Sequence, residues 1–167
     1  KGPCAERIDL QTPSRPQGLA VGDVTGDGRF DIVTTNISAD SITVFAAQPK
    51  GGFVGTNYAT GPNLYYTTLA DLDGNGTLDA ATIHYNGGGP GSARIFLNTG
   101  GTLIAHGDVP TPPGPLGIGH ADFDFDGDID LVASTSTGSA VTFLLNDGTG
   151  SFPAAQSIGS SISLYTL

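Results

Sequence analysis

Three stretches of this 167-residue chain put oxygen-bearing side chains at the same alternating positions. Asp23, Thr25, Asp27 and Asp31 hold positions 1, 3, 5 and 9 of the first stretch, and Asp71, Asp73, Asn75 and Asp79 those of the second. Asp122, Asp124, Asp126 and Asp130 repeat the pattern a third time. Position 6 is always glycine (Gly28, Gly76, Gly127), where a tight turn needs a residue free of Cβ. Alternate oxygens of a curled loop can converge on one centre, and position 7 (Arg29, Thr77 or Asp128) can add a backbone carbonyl. Several hard oxygen donors with carboxylate charge, and no His or Cys, select Ca²⁺ over Zn²⁺ or copper. The expectation is up to three Ca²⁺, one per loop.

These loops open like an EF-hand but do not end like one. Position 12 is Thr34, Thr82 and Ala133, never a bidentate Glu, and apolar strand-like runs flank each loop. The alternative for a single Asp-Gly cluster is that it is simply a hairpin turn. Three in register hold eleven of the fifteen Asp residues, which favours the metal reading. The third loop, with five Asp including Asp128, is expected to attract an ion most strongly. Phe125 stands there where the others have Gly26 and Gly74, so an altered loop geometry is expected. The first loop, with Thr25 at an acid position, is ranked weakest.

The elements that must carry such loops also repeat. The first Asp of each loop lies at 23, 71 and 122, and a period of about 50 residues suits propeller blades or arrays. Within each unit, four short runs rich in Val, Ile, Thr and Phe are separated by Gly, Asn, Asp and Pro, which reads as four strands. The fold class is therefore all-β: β-propeller blades, as three four-stranded repeats at about 13–60, 61–110 and 111–159. Arg7–Thr12 and Ser161–Tyr165 read as an orphan strand at each end. Three blades do not close a ring, since propellers use about four to eight. The chain is expected to be part of a larger propeller, or a protomer that completes its ring by association.

Composition narrows the rest. Six Lys+Arg against sixteen acids give a net charge of −10, which argues against nucleic-acid binding. Fifteen of those acids are Asp, and 26 Gly with 11 Pro make turns dense, so long helices are not expected. Hydrophobic residues are 38%, enough to argue against disorder. No apolar run approaches the ~18 residues of a membrane span. A lone Cys4 cannot pair within the chain, and the start at Lys1 suggests a processed form or a piece of something longer.

The stretch Gly22–Asn36 (GDVTGDGRFDIVTTN), with Asp40–Phe45 (DSITVF) and Leu145–Phe152 (LNDGTGSF), resembles the FG-GAP/VCBS repeat family, best known from integrin α-subunit propellers. The Phe-Gly and Gly-Ala-Pro signatures of the integrin branch are absent, so the resemblance is closer to the microbial or fungal VCBS-like branch. The resemblance implies a propeller with Ca²⁺ in the loop joining the first two strands of a blade. It also implies a secreted or cell-surface module for adhesion or ligand recognition, with a glycan (in a lectin-like role) or a protein as partner. The alternatives are a non-catalytic segment of a larger secreted polysaccharide-active enzyme, or a purely structural array.

No catalytic constellation is present: there is no Gly-x-Ser-x-Gly elbow and no His-Glu-x-x-His, and the paired carboxylates lie in the loops. The chain is thus expected not to be an enzyme. His120, at an otherwise apolar inner-strand position, is read as a hydrogen-bonded structural residue, with ligand contact as the alternative. His84-Tyr85-Asn86 precedes Gly87–Gly91, read as a floppy exposed turn or else a binding loop. Tyr65, Tyr66 and Tyr85 suit interstrand packing or stacking on sugars. Asn36-Ile-Ser38 and Asn75-Gly-Thr77 match the N-glycosylation pattern.

Overall fold

The computed structural model describes residues 7–136 and 140–159. Twelve strands among them form three antiparallel sheets of four, each built from strands consecutive in sequence. The first sheet holds β1 (Pro16–Gly22), β2 (Asp31–Asn36), β3 (Ser41–Ala47) and β4 (Phe53–Ala59). The second holds β5 (Leu64–Ala70), β6 (Asp79–Asn86), β7 (Gly89–Thr99) and β8 (Thr102–Pro113). The third holds β9 (Pro115–Ala121), β10 (Asp130–Thr135), β11 (Ala140–Leu145) and β12 (Ala154–Gly159). One 3₁₀ turn, Ile37–Ala39, interrupts the first sheet's second connection.

Strands alternate their side chains between faces, and each sheet buries a face against its neighbour. Val24, Val33, Ile42 and Val44 meet Leu64, Leu69, Ala80 and Phe96 between the first two sheets. Ala81, Ile83, Ala93 and Ile95 meet Leu131, Ala133 and Leu144 between the second and third. The first strands β1, β5 and β9 lie side by side. Near them Thr35 Oγ1 donates to the Tyr65 carbonyl at 2.7 Å, crossing from β2 to β5. This is the arrangement of successive propeller blades, and it places every β1–β2-type loop at the same end.

Several expectations change in detail. Arg7–Thr12 is not a strand: it takes part in none of the three sheets. Ser161–Tyr165 lies outside the described residues. The fourth strand of the second sheet is longer than the short runs read from the sequence, reaching Pro113, since β7 is nearly as long and pairs with it from Thr99 to Pro90. Gly87–Gly91 is a tight hairpin: Asn86 pairs with Gly89 across Gly87 and Gly88, whose φ values of 55° and 86° suit a two-residue turn.

Candidate metal centre

Each loop is shaped by its own carboxylates. The position-1 Asp caps the turn: Asp71 accepts the amides of Asn75 at 3.1 Å and Gly76 at 2.8 Å. Asp23 does the same with Asp27 and Gly28, and Asp122 with Phe125 and Gly127. Position 5 accepts the amide two residues on, from Arg29, Thr77 or Asp128. Position 4 takes a left-handed backbone in all three loops: Gly26 at φ 72°, Gly74 at 70° and Phe125 at 64°. Phe125 therefore keeps the loop geometry it was expected to disturb, at a cost of about 1 kcal/mol for a residue with a Cβ. The residue itself is 89% exposed.

Position 9 has a second duty that spacing alone did not suggest. Asp31, Asp79 and Asp130 are each fully buried. In each, one oxygen accepts the position-2 amide, from Val24 (3.0 Å), Leu72 (2.7 Å) or Phe123 (2.9 Å). The other accepts the amide ending the sheet's third strand or just beyond it, from Ala47 (2.9 Å), Asn98 (2.7 Å) or Asn146 (2.8 Å). One carboxylate thus ties the loop to the far side of its sheet. Burial raises the Asp79 pKa above the usual carboxylate value. The Asn98 and Leu72 amides oppose that rise, and the charges of Asp73 and Asp71 add to it. The Asp124 pKa is also raised, by desolvation and by the neighbouring Asp126 and Asp130 charges.

The loops gather their acids unequally. Asp71, Asp73 and Asp79 bring carboxylate oxygens within 4.8 Å of one another, and so do Asp122, Asp124 and Asp126. Asn75 and Thr77 stand beside the first of these groups, with Thr77 Oγ1 donating to Asn75 Oδ1 and to the Asn98 carbonyl. Asp128 instead lies over Gly148, where a Cβ would come within 2.6 Å of its Oδ2. Asp130 is not in the third loop's group, although it holds the Phe123 and Asn146 amides just as Asp79 holds those of Leu72 and Asn98. In the first loop Arg29 ion-pairs with Asp27, so that carboxylate is already matched by a cation. Thr25 Oγ1 is buried there with no hydrogen-bond partner among the described residues. An all-oxygen donor set of this kind fits a hard divalent cation.

Other candidates are engaged within the fold. His120 is exposed, with Nδ1 at 2.7 Å from Thr68 Oγ1 on β5. His84 is buried between the Pro62 carbonyl (2.8 Å) and Thr82 Oγ1 (3.0 Å). The rings of Tyr65 and Tyr85 pack 5.4 Å apart, while Tyr66 remains exposed. Asn36 is fully buried and donates to Thr43 Oγ1 at 2.8 Å, so it is not a glycan acceptor in the folded chain. No helix among the described residues is long and apolar enough to cross a membrane.

Residues 71–133, from the second loop through the third, match the FG-GAP-like repeat family. No curated protein matches the chain. The matched stretch begins at the position-1 Asp of one loop and contains the whole of the next, so over these residues the repeat read from spacing and the FG-GAP-like repeat coincide, on sheets arranged like propeller blades.

Proposed function

We propose that the chain is an extracellular Ca²⁺-binding propeller module, in which the ions hold the loops between first and second strands and do no chemistry of their own. The observation that carries this is the recurrence of a three-carboxylate group at the same place in two successive sheets. Asp71, Asp73 and Asp79, with the Asn75 side chain and Thr77 carbonyl, would hold one ion; Asp122, Asp124 and Asp126 would hold another. Desolvation is the main cause of the raised Asp79 and Asp124 pKa values, and bound Ca²⁺ would offset the smaller part that comes from neighbouring carboxylates. Extracellular Ca²⁺ modules bind at about 10⁻⁴–10⁻³ M. A tenfold excess of ion over Kd adds about 1.4 kcal/mol of stability per site. Thermal melts test this: EDTA should lower Tm and millimolar Ca²⁺ restore it, whereas a melt indifferent to both rejects the assignment.

Recognition of a glycan or protein ligand is the role that family resemblance suggests for the loop-bearing faces. Reproducible Ca²⁺-dependent hits on a glycan array would support the glycan form. A structural role alone is the second reading, favoured by one observation. Of the side chains weighed for ligand contact, Tyr65, Tyr85, His84 and His120 are committed to contacts inside the fold, while Tyr66 is exposed.

A further inference from the structure

The outer edge of the first sheet is β4, and its sequence does nothing to guard that edge. Phe53–Ala59 (FVGTNYA) holds no charged side chain and no proline. It pairs with β3 along its whole length without a bulge, from Ala59 opposite Ser41 to Phe53 opposite Ala47. Edge strands usually carry a charge, a proline or a bulge, because a bare edge pairs with other chains. β8, the same edge one sheet on, has all three. It carries Asp108, Pro110, Pro112 and Pro113, and its pairing shifts opposite Ile95 and Phe96. Among the described residues no strand pairs with β4 on its far side, and Val54 there is 56% exposed.

The β3–β4 ladder fixes which backbone groups of β4 face outward. Just beyond its ends the Thr60 amide donates to the Asp40 carbonyl at 2.8 Å, and the Gln48 amide to the Gly52 carbonyl at 3.0 Å. Hydrogen-bonded pairs alternate along an antiparallel ladder, so Val54, Thr56 and Tyr58 bond inward to β3. The amides and carbonyls of Phe53, Gly55, Asn57 and Ala59 therefore point away from the sheet. Laid antiparallel to a copy of itself about Thr56, the strand matches all four. Phe53 would meet the partner's Ala59 and Gly55 the partner's Asn57, each as a hydrogen-bonded pair. Between them Val54 would meet the partner's Tyr58, a β-branched residue against an aromatic, and Thr56 would meet the partner's Thr56.

Charge favours the same orientation. β2 leaves the first acidic loop and β3 returns beside it, so Phe53 lies at the loop-bearing end of the sheet and Ala59 at the other. Antiparallel pairing sets the acidic ends of two copies, each of net charge −10, at opposite ends of the joined strands. A parallel pairing would bring them together. We propose that β4 pairs antiparallel about Thr56 with β4 of a second copy of this chain, joining two four-stranded first sheets edge to edge. The contact uses a strand edge, so it depends neither on bound Ca²⁺ nor on how sheets stack face to face.

Sedimentation velocity on the full chain, Thr56→Lys and Thr56→Glu tests this. The parent should dimerise reversibly between about 10 μM and about 1 mM, as suits a small edge contact. Thr56 is exposed, so both variants should keep the parent's circular dichroism and Tm. Each variant alone sets like charges directly opposite one another and should associate about tenfold more weakly than the parent, or worse. Mixed in equal amounts, the two should form a heterodimer at least as tight as the parent dimer, because lysine then faces glutamate. Three results would overturn the proposal: a parent that stays monomeric up to about 1 mM, single variants that associate as the parent does, or a mixture no tighter than either variant alone.

Discussion

Arg29 illustrates how a single side chain can set the fate of a loop. The three loops share their backbone turn, their position-1 cap and their position-9 tie, yet among the described residues only the second and third assemble three carboxylates. In the first, the guanidinium at position 7 takes the Asp27 carboxylate through Nη2, and its Nε donates to the Ala47 carbonyl at 3.0 Å. The pair is partly exposed, so its own contribution to stability is at most about 1 kcal/mol. Its effect on metal affinity should be larger, because the cation cancels charge where a second cation would have to enter. Arg29→Thr copies the residue at the same place in the second loop. Calorimetric titration with Ca²⁺ should then show one more binding event than the parent chain, with Thr25 Oγ1 available as a further oxygen. An unchanged stoichiometry would mean that the missing acid at position 3, rather than Arg29, disables this loop.

At the scale of elements, His84 fastens the entry of the second sheet to its second strand. A carbonyl only accepts, so the contact with Pro62 requires the proton on Nδ1, and Nε2 is then free to accept from Thr82. Burial lowers the His84 pKa, and Arg94 adds to that, against the Pro62 hydrogen bond and the charges of Asp108 and Asp40. The unfolded chain therefore binds the proton more readily than the folded one. Stability from this group is present above the ordinary value of 6.5 and is lost as pH falls towards the lower folded value. The slope is at most about 1.4 kcal/mol per pH unit. Urea unfolding at pH 7.5 and 5.5 should show a larger loss for the parent than for His84→Gln; equal losses would mean that protonation there is tolerated. Strand content and the loops are legible in the sequence because fixed spacing repeats three times. The bonds from the Asn98 and Asn146 side chains to the Val24 and Leu72 carbonyls of the preceding sheet's loop are not, because each spans 74 residues and the same place in the first sheet is Ala47, which breaks the period. Arg7–Thr12 has strand-like composition but joins none of the three sheets, since pairing depends on neighbours that local sequence does not specify.

For the whole molecule, the charge of −10 has to be weighed with where it sits. Eleven Asp residues fall in three loops at one end of three stacked sheets, so repulsion is concentrated there rather than spread over the surface. Two bound Ca²⁺ would take the net charge from −10 to −6, and the neutralisation would fall within the crowded carboxylate groups. Monovalent salt acts on the same repulsion through screening, with a Debye length of about 10 Å at 0.1 M and 3 Å at 1 M. The two treatments should therefore be redundant. In EDTA, raising NaCl from about 0.05 to about 0.5 M should increase Tm; in saturating Ca²⁺ the same change should do much less, since the charges it would screen are already matched. A salt response of equal size in both conditions would place the dominant repulsion outside the loops and detach the acidity of the chain from its metal sites.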